Sequence, residues 1–282
     1  MLLPASLTNF KIISSECDLG EGLFVNGLEA AWVDINKSKI YLYKDSLNEF
    51  HVKNRPSVIY QKCEDVLIFG SENGICKFDL ANKTEELINE ITCSSDLNLE
   101  NYRSNDGGYC GDSQYLGFMH KNNPEKYSGY IFLINEEKWI VVDSEIHIPN
   151  SFIDLGNNCL LISDSLSSEI WLFSFSKDGN LKTKKIWKEL GGGQTPDGGC
   201  KIGEYIYLSM WGDNAINIYN LKGEYIDSFE VPALRPTNCK FNEHDSKLWV
   251  TSASTGLNKE QLSDFPESGN TFAYELRNNK TC

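Results

Sequence analysis

Residues 204–221 read EYIYLSMWGDNAINIYNL: a run of aromatic and β-branched side chains, a Gly212-Asp213-Asn214 reversal, and a second run in which apolar and polar residues alternate. Two such runs joined by a short polar turn spell a β-hairpin. The same phrase recurs along the chain. Upstream stand AAWVDI with KIYLY (30–43), DVLIFG with GICKFDL (65–80), QYLGFM with GYIFLI (114–134) and NCLLISD with EIWLFSF (158–175); downstream stands KLWVTSA with NTFAYEL (247–276). The centres of the first runs, Trp32, Ile68, Leu116, Leu161, Tyr207 and Trp249, are 36, 48, 45, 46 and 42 residues apart.

Six repeats of this length, each built from several short strands, predict an all-β six-bladed β-propeller. Long helical periodicity is absent, and residues 80–91, LANKTEELINEI, read as a strand edge and loop rather than a helical insertion. No low-complexity linker interrupts the series, so residues 1–282 are expected to form a single domain.

Composition narrows the function. Lys plus Arg number 26 and Asp plus Glu 40, a formal charge of −14. Such a chain repels phosphate backbones and anionic lipid, so neither nucleic acid nor a membrane is an expected partner. The stretch MLLPASLTNFK lacks the basic segment of a secretory signal and its apolar run is broken by Pro4 and Ser6, which leads to the expectation of a cytoplasmic protein. The nine cysteines, at 17, 63, 76, 93, 110, 159, 200, 239 and 282, are scattered and contain no C-x-x-C pair, so they read as reduced thiols, most of them buried.

About eleven residues before each run centre lies the segment that enters the repeat. There the sequence places Glu21, Asn105, Asn150, Asp197 and Asn238; only the second repeat, near Ser57, departs. Asn, Asp and Gly mark turns before strands in any protein. Five at one phase of a propeller are different, because the first strand of every blade lines the axis and equivalent positions converge. A ring of carboxylate and amide oxygens suits one hard divalent cation, Ca²⁺, Mg²⁺ or Mn²⁺, with Zn²⁺ also accepting carboxylates.

The ordered motifs Leu19-Gly20-Glu21-Gly22 with Trp32-Val33-Asp34-Ile35, Arg103-Ser104-Asn105-Asp106-Gly107 with Gly117-Phe118-Met119, Pro149-Asn150 with Ser163-Asp164-Ser165, Pro196-Asp197-Gly198 with Trp211, and Leu248-Trp249-Val250-Thr251-Ser252-Ala253 span nearly the full chain. In this order and spacing they resemble the SMP-30/gluconolactonase/luciferin-regenerating-enzyme family. The resemblance implies a six-bladed propeller with a divalent metal held by Glu21, Asn150 and Asp197, substrate oxygens bound by Arg103 and Asn105, and Asp197 doubling as general base. It implies a gluconolactonase-like hydrolase whose small-molecule partner is a sugar lactone or sugar acid.

Four departures from the family pattern bear on the substrate. Leu23-Phe24 replaces the usual Pro-Trp, Asn150-Ser151 replaces Asn-Gly, and the segment after Asp106-Gly107 is shortened with Cys110 near a common Asp. Met119-His120-Lys121-Asn122 offers no acidic substrate contact. Lys121 and Asn122 are candidate substrate-lining residues, and Lys121 facing the channel would favour an anionic ligand.

Competing signals fail on their spacing. Gly193 to Cys200 lacks the Lys-Ser/Thr pair of a phosphate loop, and Pro196 breaks the dinucleotide fingerprint begun at Gly191. There is no G-x-S-x-G elbow, and Cys110 reads as a buried thiol rather than a nucleophile. His51, His120, His147 and His244 show no paired ligand spacing. Two functions from different classes remain: a metal-dependent lactonase, and a non-catalytic metal- or ligand-binding propeller acting as regulator or interaction scaffold.

Overall fold

The computed structural model describes residues 2–4, 9–92, 97–135 and 138–278. Cys93 and Cys282 lie outside the described residues, and the seven other cysteines are free thiols. The strands fall into six antiparallel sheets, and the chain divides into two compact units, His51–Pro196 and Met1–Phe50 with Asp197–Cys282.

The unit His51–Pro196 holds three four-stranded sheets in plain sequence order. Their leading strands are Pro56–Cys63, Tyr102–Cys110 and Pro149–Gly156, followed by second strands Val66–Ser71, Ser113–His120 and Cys159–Asp164. The second strands are buried almost end to end, as Leu160, Leu161 and Ile162 show. That is why they read as continuous apolar runs rather than alternating ones. The outermost strand Leu181–Glu189 has no fully buried residue and carries four lysines. Residues 80–91 contain the outer strand Thr84–Glu90, paired with Gly74–Asp79.

In the other unit the leading strands are Gly20–Asn26, Thr195–Ile202 and Arg235–Asn242. Its last sheet takes its outer strand from the far end of the chain. Phe10–Ile13 pairs with Thr271–Tyr274, and the Phe10 ring packs 4.9 Å from Tyr274 and 5.9 Å from Phe272. The 17 residues between Ala253 and Thr271 in this sheet include the one helix among the described residues, Lys259–Asp264, which the sequence reading did not foresee. Six residues are too few to display a helical period, but the cap is legible: Asn258 accepts from the Gln261 amide and Gln261 answers to the Asn258 amide.

Burial acts on the thiols. Removal from water pushes Cys17 and Cys110 up to about 12 and Cys76 up to about 11, with Asp34 adding to the shift at Cys17. An unfolded chain releases these protons near pH 8.5. The folded protein therefore holds protons that the unfolded chain gives up, and the stability present below about pH 8.5 is lost as pH rises toward the folded values. Thermal melts across the alkaline range should show a level Tm to about pH 8 and a progressive fall above about pH 9. At neutral pH, iodoacetamide should label exposed Cys63 and spare Cys17 and Cys110 in the native protein.

Candidate functional site

Glu21, Asn105, Asn150 and Asn238 each sit beside an irregularity of a leading strand. The ladder slips between Glu21 and Phe24, between Ser104 and Gly107, between Asn150 and Ile153, and between Pro236 and Asn238. A β-bulge re-aims a side chain and frees it from regular pairing, which is how strands present functional groups. Gly22 at φ 60° and Ser151 at φ 76° supply the left-handed residue that two of these slips need. Ser151 occupies that conformation with a side chain, and its Oγ lies 2.9 Å from Ser163 Oγ in the interior.

The strands are held in place by a repeated carboxylate staple. Asp34, at the end of a second strand, accepts from the backbone N–H of Asp18 at 2.7 Å, Leu19 at 3.2 Å, Asn36 at 3.1 Å and Lys37 at 3.1 Å. Asp164 does the same for His147 at 2.9 Å, Ile148 at 3.1 Å and Leu166 at 3.1 Å. Each staple ties down the loop running into a leading strand, one toward Glu21 and the other toward Asn150.

Within His51–Pro196, Arg103 and Asn105 are joined to Asn150 by a one-way hydrogen-bond relay. An Arg103 guanidinium N–H donates to Asn105 Oδ1 at 2.7 Å, and Asn105 Nδ2 donates to Asn150 Oδ1 at 2.9 Å. Asn150 Nδ2 donates to Ser165 Oγ at 2.8 Å, and that hydroxyl donates to the Pro196 carbonyl at 2.6 Å. Because a guanidinium can only donate, the direction of every following bond is set, and both amide orientations with it. Asn150 Oδ1 keeps a second lone pair. Lys121 extends away from this relay, its Nζ 3.1 Å from the Glu72 carboxylate and 3.2 Å from the Glu100 carbonyl. Asn122 lines an open pocket on the same sheet.

The other unit carries Glu21 and Asp197. Asn238 stands on the leading strand that neighbours both of theirs. Thr237 Oγ1 donates to the Gly20 carbonyl beside Glu21. On the other side a Cβ on Gly198 would lie 2.4 Å from Asn238 Cγ, so only glycine lets the amide pack there. Glu21, Asp197 and Asn238 are 5, 4 and 2% exposed, and Asn238 Oδ1 is buried with no hydrogen-bond partner among the described residues. Each carboxylate also accepts from the next residue's amide, Gly22 N–H at 3.2 Å and Gly198 N–H at 3.1 Å.

Sequence reasoning missed three residues here. Asp106, buried and accepting from Gly107 N–H at 2.8 Å, repeats the acid–glycine step of Glu21-Gly22 and Asp197-Gly198, a signal that was present in the sequence. Ser165 and Thr237 had no signal, since their roles are to bond neighbouring strands. Among the described residues no three His, Cys, Asp or Glu side chains gather as a metal cluster; the expected set holds two carboxylates and an amide.

Two substitutions test this geometry. Ser165→Ala strands Asn150 Nδ2 and the Pro196 carbonyl, and should cost about 1–3 kcal/mol in urea denaturation. Gly198→Ala drives a methyl into the Asn238 amide and should cost a similar amount, about 1–3 kcal/mol.

Comparison with known proteins gives this arrangement its context. The model of the SMP-30/Gluconolactonase/LRE-like region matches residues 19–254. An L-arabinolactonase from Azospirillum brasilense is 24% identical over 221 residues, 76% of this chain and 71% of that protein. Regucalcin from Gallus gallus is 28% identical over 203 residues, 67% of each. The crystal structure of a calcium-binding protein, regucalcin, from Agrobacterium tumefaciens aligns over 96% of this chain and 92% of its own, with a TM-score of 0.83 at 23% identity. The chain is a six-bladed β-propeller and belongs to the SMP-30/gluconolactonase/LRE-like family.

Proposed function

We propose that the protein is a divalent-metal-dependent lactonase that hydrolyses a small lactone, in particular a sugar (aldono)lactone, with Asp197 as general base. The observation that supports this best is the burial of Glu21, Asn150 and Asp197 on leading strands of a chain in this family. Buried carboxylates and amides without function are costly, and strands do not need them. The Azospirillum relative, an L-arabinolactonase, points to the same substrate class.

The donor chemistry fits a hard cation. Glu21 and Asp197 offer carboxylate oxygens, Asn150 Oδ1 a second lone pair, and Asn238 Oδ1 an acceptor with no donor among the described residues. Glu21, Asn150 and Asp197 would hold one Ca²⁺, Mg²⁺, Mn²⁺ or Zn²⁺. When bound, such an ion supplies Lewis-acid polarisation of the lactone carbonyl. The chain does the rest. Asp197 takes a proton from the attacking water, which raises its nucleophilicity at the carbonyl carbon. Arg103, its guanidinium steadied by Asn105, orients the lactone oxygens and complements the carboxylate that ring opening creates. The relay through Asn150 to Ser165 keeps the Asn105 amide from rotating as substrate enters.

A second reading, a cation-binding propeller without turnover, is favoured by the Agrobacterium relative's description as a calcium-binding protein. Acid release from a panel of aldonolactones, followed across a cation titration and after EDTA, separates the two. Cation-dependent turnover is expected from the wild-type chain, and its absence on a broad panel selects the binding reading. Asp197→Asn should fold and lose about 10²- to 10⁴-fold in turnover at saturating cation. Full activity in that variant removes Asp197 as the base. Arg103→Ala should act mainly through KM, since a positioning cation binds substrate and transition state alike. Glu21→Ala should lower the bound cation in elemental analysis, and an unchanged cation content places the ligands elsewhere.

A further inference from the structure

Arg235 opens the leading strand Arg235–Asn242, three residues before Asn238. Its cross-strand partner is Ala253, which also bridges to Leu19, two residues before Glu21. The strand Thr195–Ile202 turns at Gly203-Glu204 into Tyr205–Trp211, and this antiparallel return brings Trp211 back to the end of the sheet where Asp197 stands. Arg235 and Trp211 therefore lie at the same end of these strands as Glu21, Asp197 and Asn238, within one compact unit.

The two side chains meet, and both are half-buried. The Arg235 guanidinium carbon sits 4.8 Å from the centre of the Trp211 ring, and one N–H donates to the Thr255 carbonyl. The indole face and that one backbone bond hold the fork in place and leave most of its five N–H donors unused. No carboxylate pairs with it among the described residues, although the chain carries 40 acidic side chains against 26 basic ones. Lys39, Lys121 and Lys184, by contrast, have carboxylate oxygens at 3.0, 3.1 and 2.9 Å. Burial pulls the Arg235 pKa below its ordinary value, with no acid set against that cost. A cation partly removed from water without a counter-ion is unfavourable, and an arriving anion relieves it.

We infer that Arg235, stacked on Trp211, is a carboxylate-binding subsite that selects, among small lactones, those carrying a carboxylate remote from the ring carbonyl, as aldarolactones and uronolactones do. A planar guanidinium with parallel N–H groups matches the two oxygens of a carboxylate. One fixed positive charge balances one carboxylate, whereas a phosphate dianion would keep half its charge uncompensated in a chain of net charge −14. The sequence reading gave a preference for anionic ligands to Lys121, but that ammonium is engaged by Glu72, and Arg235 is the cation without an acid partner. The class of ligand rests on the lactonase reading; the binding of a carboxylate does not.

The test compares D-glucaro-1,4-lactone with D-glucono-1,4-lactone, which differ only in a terminal carboxylate, in steady-state kinetics on the full chain, with calorimetric titration of D-glucarate beside it. The wild type should favour the carboxylate-bearing lactone, with an advantage that shrinks as NaCl rises. Arg235→Gln should lower kcat/KM for the glucarolactone about tenfold more than for the gluconolactone, through KM. Arg235→Lys keeps the charge and a donor for the Thr255 carbonyl, and should recover part of that difference. Trp211→Leu should narrow the preference about threefold. A wild-type preference for the neutral lactone overturns the inference. So does equal loss on both lactones in Arg235→Gln and Arg235→Lys, the mark of a purely structural residue, or stronger competition by inorganic phosphate than by glucarate. A chain that turns over neither lactone but binds glucarate through Arg235 loses the lactonase reading and keeps this subsite. Turnover of both lactones with glucarate binding absent, or unchanged in Arg235→Gln, does the reverse.

Discussion

Polar side chains buried along the leading strands set the terms for the rest of the site. An amide or hydroxyl taken out of water without a partner costs a few kcal/mol, about as much as a large part of a domain's net stability. Around Arg103 this demand is met by direction: a donor-only guanidinium starts a relay that passes through the Asn105 and Asn150 amides and the Ser165 hydroxyl and ends on the Pro196 carbonyl. Since no member can turn without stranding a neighbour, Arg103, Asn105 and Asn150 are oriented before any ligand arrives, which is the condition for electrostatic catalysis.

Around Asp197 the demand is met differently. The carboxylates of Glu21 and Asp197 fold back on the next glycine's amide, and the Asn238 amide fills the space that a Gly198 side chain would take. That packing leaves Asn238 Oδ1 without a donor among the described residues. Under the lactonase proposal this part of the protein would hold the cation, and the Arg103 relay would anchor the substrate.

The staples at Asp34 and Asp164 connect the apolar repeat to this polar lining. Each lies at the end of a buried second strand and collects backbone N–H groups from the loop that leads into a leading strand. Hydrogen bonds to an ionised acceptor are worth about 1.5–3 kcal/mol each, more than a neutral pair, so a single carboxylate can position a whole loop. The site's geometry is inherited from the packing of Trp32, Leu161 and their neighbours, because those strands carry the staples.

Local chemistry made six hairpins and the phase of their polar residues legible in the sequence alone: alternation, buried apolar runs and Gly/Asn/Asp turns are short-range signals, and Glu21, Asn105, Asn150 and Asp197 stand at matching positions of that repeat. The acid–glycine step was equally local, and attention to it would have added Asp106. Ser165 and Thr237 were out of reach, because a serine or threonine acquires its role only when the next strand brings an acceptor to it. The same holds for the sheet completed by Phe10–Ile13, whose partner lies some 260 residues away, and for the stack of Arg235 on Trp211, which come from different sheets. Sequence determined which segments are strands and which residues their bulges carry; only tertiary structure decided what those residues touch, because hydrogen bonds and cavities between strands depend on distances that the order of residues does not contain.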